Sequence, residues 1–144
     1  MINANKLFLV DSNMIIYAFE LTESDKNQKA KKLIDECWIG KIRLAVSSQN
    51  LAEFAYTATS KAKLDFRRVK TAVDYIASFD GFIKINYSTS TVLTAIDIAN
   101  EYNMPFWDSL LAATMKENGI FNIYTENTKD FKIPWINAVN PFKK

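Results

Sequence analysis

"KLFLVDSNMIIYAFE", residues 6–20, decides how the rest of the chain is read. Leu7 to Val10 form a short apolar run suited to a buried strand. The run stops at Asp11, and Ser12 and Asn13 are residues that cap helices, so "SNMIIYAFE" is expected to turn at once into a short helix. An acid at the rim of a buried strand is costly unless it caps, pairs or binds a cation. Capping the next helix and binding a metal both remain open for Asp11.

Strand and helix patterns go on alternating outward from this stretch. "SDKNQKAKKLIDECW" is amphipathic, with Ala30, Leu33, Ile34 and Cys37 at helical spacing and Gly40 closing it. "KIRLAVS" reads as a second strand, and "SSQNLAEFAYTATSK" as a helix with Leu51, Phe54, Ala55 and Ala58 facing inward. "DFRRVKTAVDYIASF" is expected to bury Phe66, Val69, Val73, Ile76 and Ala77 before a short strand in "GFIKIN". "STSTVLTAIDIANEYN" repeats the helical pattern at Val92, Ala95, Ile96 and Ala99. In "MPFWDSLLAATMKENG", residues 104–119, Asp108 is expected to open a buried helix that stops at Gly119. "FNIYTE" and "WINAVN" are the last two strands. Strands separated by helices predict one α/β domain over residues 1–144, with three layers and a mainly parallel sheet of about five strands flanked by helices. Such sheets place their functional crevice beyond the carboxyl ends of the strands, where Asp11 and the Glu126–Asn127 pair both fall.

Composition narrows the chemistry. The 144 residues are 49% hydrophobic with ten Phe but only three Gly and three Pro, which argues against disorder. No window approaches 18 uninterrupted apolar residues and no leader pattern is visible, so a cytoplasmic protein with no membrane span is expected. The single Cys37 cannot form an intramolecular disulfide and is expected to be a reduced, buried thiol. There is no histidine, which removes His-based triads, imidazole acid–base catalysis and ordinary mononuclear zinc sites. Any metal would sit among oxygens, favouring Mg2+ or Mn2+. Walker, GxGxxG and GxSxG patterns are absent. The net charge of +2 is too small to mark a nucleic-acid binder, but "KAKLDFRRVK", residues 61–70, concentrates Lys61, Lys63, Arg67, Arg68 and Lys70 around one acid. A solvated helical face is the commoner explanation of such a cluster, and a phosphate-contacting patch is the other.

Four acidic places stand out. Asp11 ends the first strand. Glu53 lies off the Leu51, Phe54, Ala55, Ala58 stripe, so the helical wheel sends it to solvent, yet it is the only charged residue between Ser47 and Ser60. Asp108 can cap a helix with one carboxylate oxygen and face a cation with the other. "YTENTKDF" adds Glu126, Asn127 and Asp130, each of which alone would be an ordinary surface residue. Crowded carboxylates repel one another and divalent ions relieve that repulsion. Together with the missing histidine, these acids match metal-assisted phosphodiester hydrolysis.

"FLVDSNMIIYAF", "LAVSSQNLAEFAYTATSK", "MPFWDSLLAATMKENG" and "NIYTENTKDFKIPWINAVNPF" together resemble the PIN-domain ribonucleases, specifically the VapC-like toxins of VapBC-type toxin–antitoxin pairs. The resemblance implies a three-layer PIN-like fold and carries the family's first three acids onto Asp11, Glu53 and Asp108. It places Ser12 and Asn13 where polar residues shape the site, and Thr125 where a hydroxyl supports the fourth acidic position. Many members have Asp where this chain has Asn127, so Asn127 joins the catalytic set without bringing charge, and Glu126 or Asp130 is left to complete the metal ligands. An Mg2+- or Mn2+-dependent endoribonuclease is implied, acting on RNA, commonly dimeric and held by an antitoxin that covers the active-site groove. A catalytically silent PIN scaffold that binds RNA or protein is the main alternative, and a small metal-dependent phosphatase is a second. Phe19, Trp38 and Tyr56 could line the groove, but each is expected in the core.

Overall fold

The computed structural model describes residues 6–143; residues 1–5 and 144 of the expected domain lie outside the described residues. Strand β1 covers Leu7–Val10 and leads through Asp11 into helix α1, Ser12–Ala18, and then α2, Asp25–Trp38. Strand β2, Arg43–Ser47, runs into α3, Ser48–Ser60, and α4, Phe66–Ser78. Strand β3, Phe82–Ile85, is followed by α5, Thr89–Tyr102, and α6, Phe106–Glu117. Strand β4, Asn122–Tyr124, a 3-10 turn over Thr128–Phe131, and β5, Asn137–Val139, complete the order.

All strand pairings are parallel, in the order β3-β2-β1-β4-β5. The chain therefore builds outward from β1 to β3 and then crosses back to lay β4 on the other side of β1. Loops leaving β1 and β4 diverge, which opens a crevice between them at the sheet's carboxyl edge. Side chains alternate across the sheet. Leu9, Ala45 and Ile123 pack with α5 and α6 on one face, while Val10, Leu44 and Val46 pack with α1 to α4 on the other. Cys37 is a buried free thiol in the second of these cores, donating to the Gly81 carbonyl at 3.6 Å. No helix of the described residues is long and apolar enough to cross a membrane.

Local chemistry sets the element ends. Asp11 caps α1 by accepting from the Ser12 backbone N–H at 2.8 Å. Ser47 and Asn50 form a reciprocal capping box at α3. Gly40 adopts φ +80° beyond α2, a left-handed conformation that glycine takes without strain.

Several inward faces differ from those expected. In α4, Val69, Ala72 and Ile76 are buried, whereas Phe66 is 79% exposed and Ala77 also faces out. In α5, Thr91, Ala95 and Ile98 are buried, and Ile96 is 52% exposed. In both helices the apolar arc is wider than the face that meets the sheet, so a wheel cannot say which flank goes in. Buried Thr91 is made tolerable by bonds to the Ser88 N–H and to Glu117. Asp108 does not open α6. Pro105 occupies the cap, with its fixed φ and no N–H, and the helix starts at Phe106, leaving Asp108 inside the first turn with no capping bond. Among the aromatics expected in the core, Phe19 is partly buried against Phe54 and Tyr75, but Trp38 is 48% and Tyr56 69% exposed.

Candidate active site

Asp11 is anchored before it does anything else. Its backbone N–H donates to the Tyr124 carbonyl at 3.0 Å, tying the end of β1 to β4. Its carboxylate accepts from the Ser12 N–H through Oδ1 and from the Thr125 hydroxyl through Oδ2 at 2.8 Å. Asn50 reaches the same Oδ1 at 3.4 Å while its own Oδ1 accepts from the Ser47 hydroxyl at 2.7 Å. Burial nevertheless pushes the Asp11 carboxyl above its usual range, with the Thr125 and Ser12 bonds opposing the shift and Asp130 adding to it.

Glu53 comes into the same cleft from α3 and is not the solvent-facing residue its helical position suggests. Its carboxyl is pushed up to about 7, first by burial, then by the charges of Asp11 and Asp108, with Gln49 and Asn50 drawing it back. Asp108, in the first turn of α6, is raised to about 6 by burial and by Asp130 and Asp11. Four chain segments far apart in sequence thus place acids in one another's field.

The remaining candidates separate. Asp130, on the 3-10 turn, acts on Asp11 and Asp108. Glu126 is turned to a different corner, where it pairs with Lys26 and accepts from the Tyr17 hydroxyl at 3.0 Å. The Asn127 side chain is exposed, and its backbone N–H donates to the Thr125 hydroxyl at 3.1 Å, bracing the residue that holds Asp11. Ser12 lines the cleft and Asn13 buries its Oδ1 without a partner.

Two residues beyond the sequence-derived set belong here. Asn50 is fully buried and joins the α3 cap to Asp11. Gln49 is 6% exposed and donates to the Trp107 carbonyl at 2.9 Å, which leaves its Oε1 buried and unpaired. Their signal was two amides within "SSQNLAEFAYTA", a stretch otherwise apolar enough to call for an explanation of each polar side chain.

Serine, tyrosine and tryptophan complete a cleft of about 780 Å3 beside Glu53, with Ser12, Gln49, Tyr56, Tyr87 and Trp107 in its walls. As they stand, no three Asp, Glu, His or Cys side chains among the described residues are grouped closely enough to hold an ion between them, so the expected convergence to metal-sharing distance is not met. The donor chemistry nonetheless fits a hard divalent cation. Oxygen is the sole donor type on Asp11, Glu53, Asp108 and Asp130, and Gln49 Oε1 is a further oxygen lacking a partner.

The PIN domain model matches residues 8–133, which takes in every element from β1 to the 3-10 turn, and the chain belongs to the PIN domain family. Its fold is similar to that of VapC20 of Mycobacterium tuberculosis, a sarcin-ricin loop cleaving toxin, at 16% identity and TM-score 0.70, covering 90% of this chain and 96% of that one. A toxin–antitoxin complex from Klebsiella pneumoniae matches at 23% identity and TM-score 0.66, covering 95% and 99%. DNA-bound VapBC from Salmonella typhimurium matches at 20% identity and TM-score 0.67, covering 95% and 98%. No curated protein sequence matches the chain significantly.

Proposed function

We propose that the chain is a divalent-cation-dependent endoribonuclease and the toxin of a toxin–antitoxin pair. The observation that carries this reading is the gathering of Asp11, Glu53 and Asp108 in one partly buried crevice at the point where the strand order reverses, their carboxyls raised first by burial and then by neighbouring acids, Asp130 among them. Those acids would hold Mg2+ or Mn2+, which when bound supplies charge neutralisation at a phosphodiester and a lower pKa for the attacking water. Thr125 and Asn50 fix the Asp11 carboxylate so that its orientation does not depend on the cation. In the metal-free cleft the Glu53 carboxyl, raised to about 7, is part-protonated at physiological pH, and a bound cation would favour its ionised, ligating form. Ser12 and Gln49 present a hydroxyl and an amide to the same cleft and can orient the scissile phosphate.

Similarity to toxin–antitoxin complexes supports a protein partner, which the proposal lays across this cleft. A segment carrying Lys or Arg would pair with the acids otherwise matched by metal, while its apolar residues bury on the exposed aromatics. Homodimerisation is a separate part of the proposal. The test is cleavage of single-stranded RNA by the purified chain with Mg2+ or Mn2+, against chelated samples and the Asp11→Asn variant. A catalytically silent PIN scaffold is the second reading, favoured by the exposed, uncharged Asn127 and the absence of a preformed ion cluster among the described residues. RNA binding with no metal-dependent turnover would select it. Release of phosphate from small monoesters would instead select a phosphatase.

A further inference from the structure

Tyr56 stands between two hollows. On one side it lines the acidic cleft with Glu53, one helical turn away on α3. On the other it lines a groove of about 560 Å3 between α3 and α4, with Phe66 and Lys70 in the far wall. Neither ring serves the core: Tyr56 is 69% and Phe66 79% exposed, and neither stacks on another ring among the described residues. Lys70 stands in the groove wall and Lys61 and Lys63 are exposed in the α3–α4 turn, while the exposed Arg67 and Arg68 line a separate hollow on the other side of α4 with Phe19 and Tyr75. None of these five forms a salt bridge with a described carboxylate. The nearby acids are engaged, Asp65 capping α4 through the Arg67 N–H and Asp74 accepting from the Ser78 hydroxyl.

We infer that this shoulder is a track for single-stranded RNA leaving the acidic cleft, with bases stacking on Tyr56 and Phe66 and phosphates meeting the cations of the α3–α4 turn. The inference deepens the nuclease reading and takes its occupant from it. Exposed aromatic faces beside unpaired cations, continuous with an acidic cleft, complement a strand whose bases are unstacked and whose backbone is anionic. A duplex keeps its bases stacked inside and cannot use the rings. An apolar protein helix would use the rings but leave Lys61, Lys63 and Lys70 unmatched.

Anisotropy of a labelled uridine-rich strand of about 20 nucleotides, measured in chelator so that no turnover intervenes, tests the track. Tyr56→Ala and Phe66→Ala are each expected to weaken binding about tenfold, with Tyr56→Phe and Phe66→Tyr restoring it. Lys61→Ala and Lys70→Ala are expected to lower the salt slope by about one each. A duplex of equal length is expected to respond to the cation variants and not to the ring variants. Unchanged single-strand affinity in both alanine variants, or equal losses for duplex and single strand, overturns the track. Ring variants that alter only self-association or the binding of a protein partner overturn it too, and reassign the groove to protein contact. Wild-type cleavage with Mg2+ is scored apart. Ring-dependent binding without cleavage removes the nuclease reading and keeps the track, and cleavage with ring-independent binding does the reverse.

Discussion

Two acidic corners lie along one edge of the sheet and have opposite fates. At the β1–β4 crevice, Asp11, Glu53 and Asp108 face other acids, and the carboxyls of all three are raised. One residue beyond Thr125, Glu126 has Lys26 against it and the Tyr17 hydroxyl as a second donor, with Lys26 lying 5.2 Å from the Tyr17 ring centre and 5.8 Å from that of Phe142. The Glu126 corner supplies its own counter-charge. Among the described residues the crevice offers its acids only neutral donors, so its uncompensated charge is where a cation from solution gains most.

The largest expected effect comes from removing charge in the crevice. Asp11→Asn keeps the shape and the contact with Thr125 but loses ligand charge, and it is expected to lower RNA cleavage by at least about 100-fold. Asp108→Asn is expected to behave similarly, since its carboxylate makes no capping bond whose loss would unfold α6. Circular dichroism should show both variants folded. Retained cleavage in both would mean that the two corners do not differ in function.

The next effect is thermal. If the crevice takes up the cation, Mg2+ or Mn2+ at about 100 times its dissociation constant should stabilise the wild type by about 2.7 kcal/mol. For a chain of this size that is a Tm rise of several degrees. Asp11→Asn should lose most of the rise and Glu126→Gln should keep it. A rise that depends on Glu126 instead would place the cation at the wrong corner.

How much of this was legible in the sequence follows from what each signal reports. The β1–Asp11–α1 junction was readable because an apolar run, an acid and capping residues are adjacent, so local chemistry decides the outcome. The fold followed from repeating that unit. Glu53 was not readable from its helix, since the wheel reports one face toward the core and another away from it. Whether the outer face meets water or a cleft depends on where α3 stands relative to β1 and α6. The same missing information misplaced Phe66 and Ile96, apolar residues on the flank of a stripe. Asp108 was taken for a cap because its neighbour Trp107 and the Leu110–Met115 run hid the stronger stop at Pro105. Glu126 and Asp130 could not be separated from "YTENTKDF", because the residue that claims Glu126 is Lys26, 100 positions earlier.

A third effect uses pH. Glu53 is raised from 4.5 to about 7 and Asp108 from 3.8 to about 6, so the folded, metal-free protein binds these protons more tightly than the unfolded chain. The stabilisation this brings is fully present below about pH 4 and is lost as pH rises through about 6 to 7. The chain has no histidine to mask that window. In chelator, Tm is therefore expected to fall between pH 5 and pH 8. Saturating Mg2+ should oppose the fall, because the cation stabilises the ionised form that the proton destabilises. A chelated Tm that holds level or climbs over this range would show that the folded protein does not raise these two carboxyls, by burial or by one another's charge.

The smallest expected effect lies at the Glu126 corner, and it tests the comparison from the other side. The Lys26 side chain is about half-exposed, so its pairing with Glu126 is partly screened by water and salt, and Glu126 keeps the Tyr17 hydroxyl if Lys26 is removed. Lys26→Met removes the cation while retaining much of the stem that packs beside Tyr17 and Phe142, and should move Tm by no more than about 3 °C. Its more informative consequence is electrostatic. Without Lys26, Glu126 becomes an uncompensated acid one residue from Thr125, whose hydroxyl holds Asp11. If counter-charge is what separates the two corners, Lys26→Met should raise the cation's apparent affinity slightly, and Lys26→Met with Glu126→Gln should return it to the wild-type value. A titration of Tm against Mg2+ in the three proteins measures this. Equal affinities throughout would mean that Glu126 is screened from the crevice by distance and solvent, and that Lys26 only braces the C-terminal segment, as Lys29 does through its 3.2 Å bond to the Phe142 carbonyl.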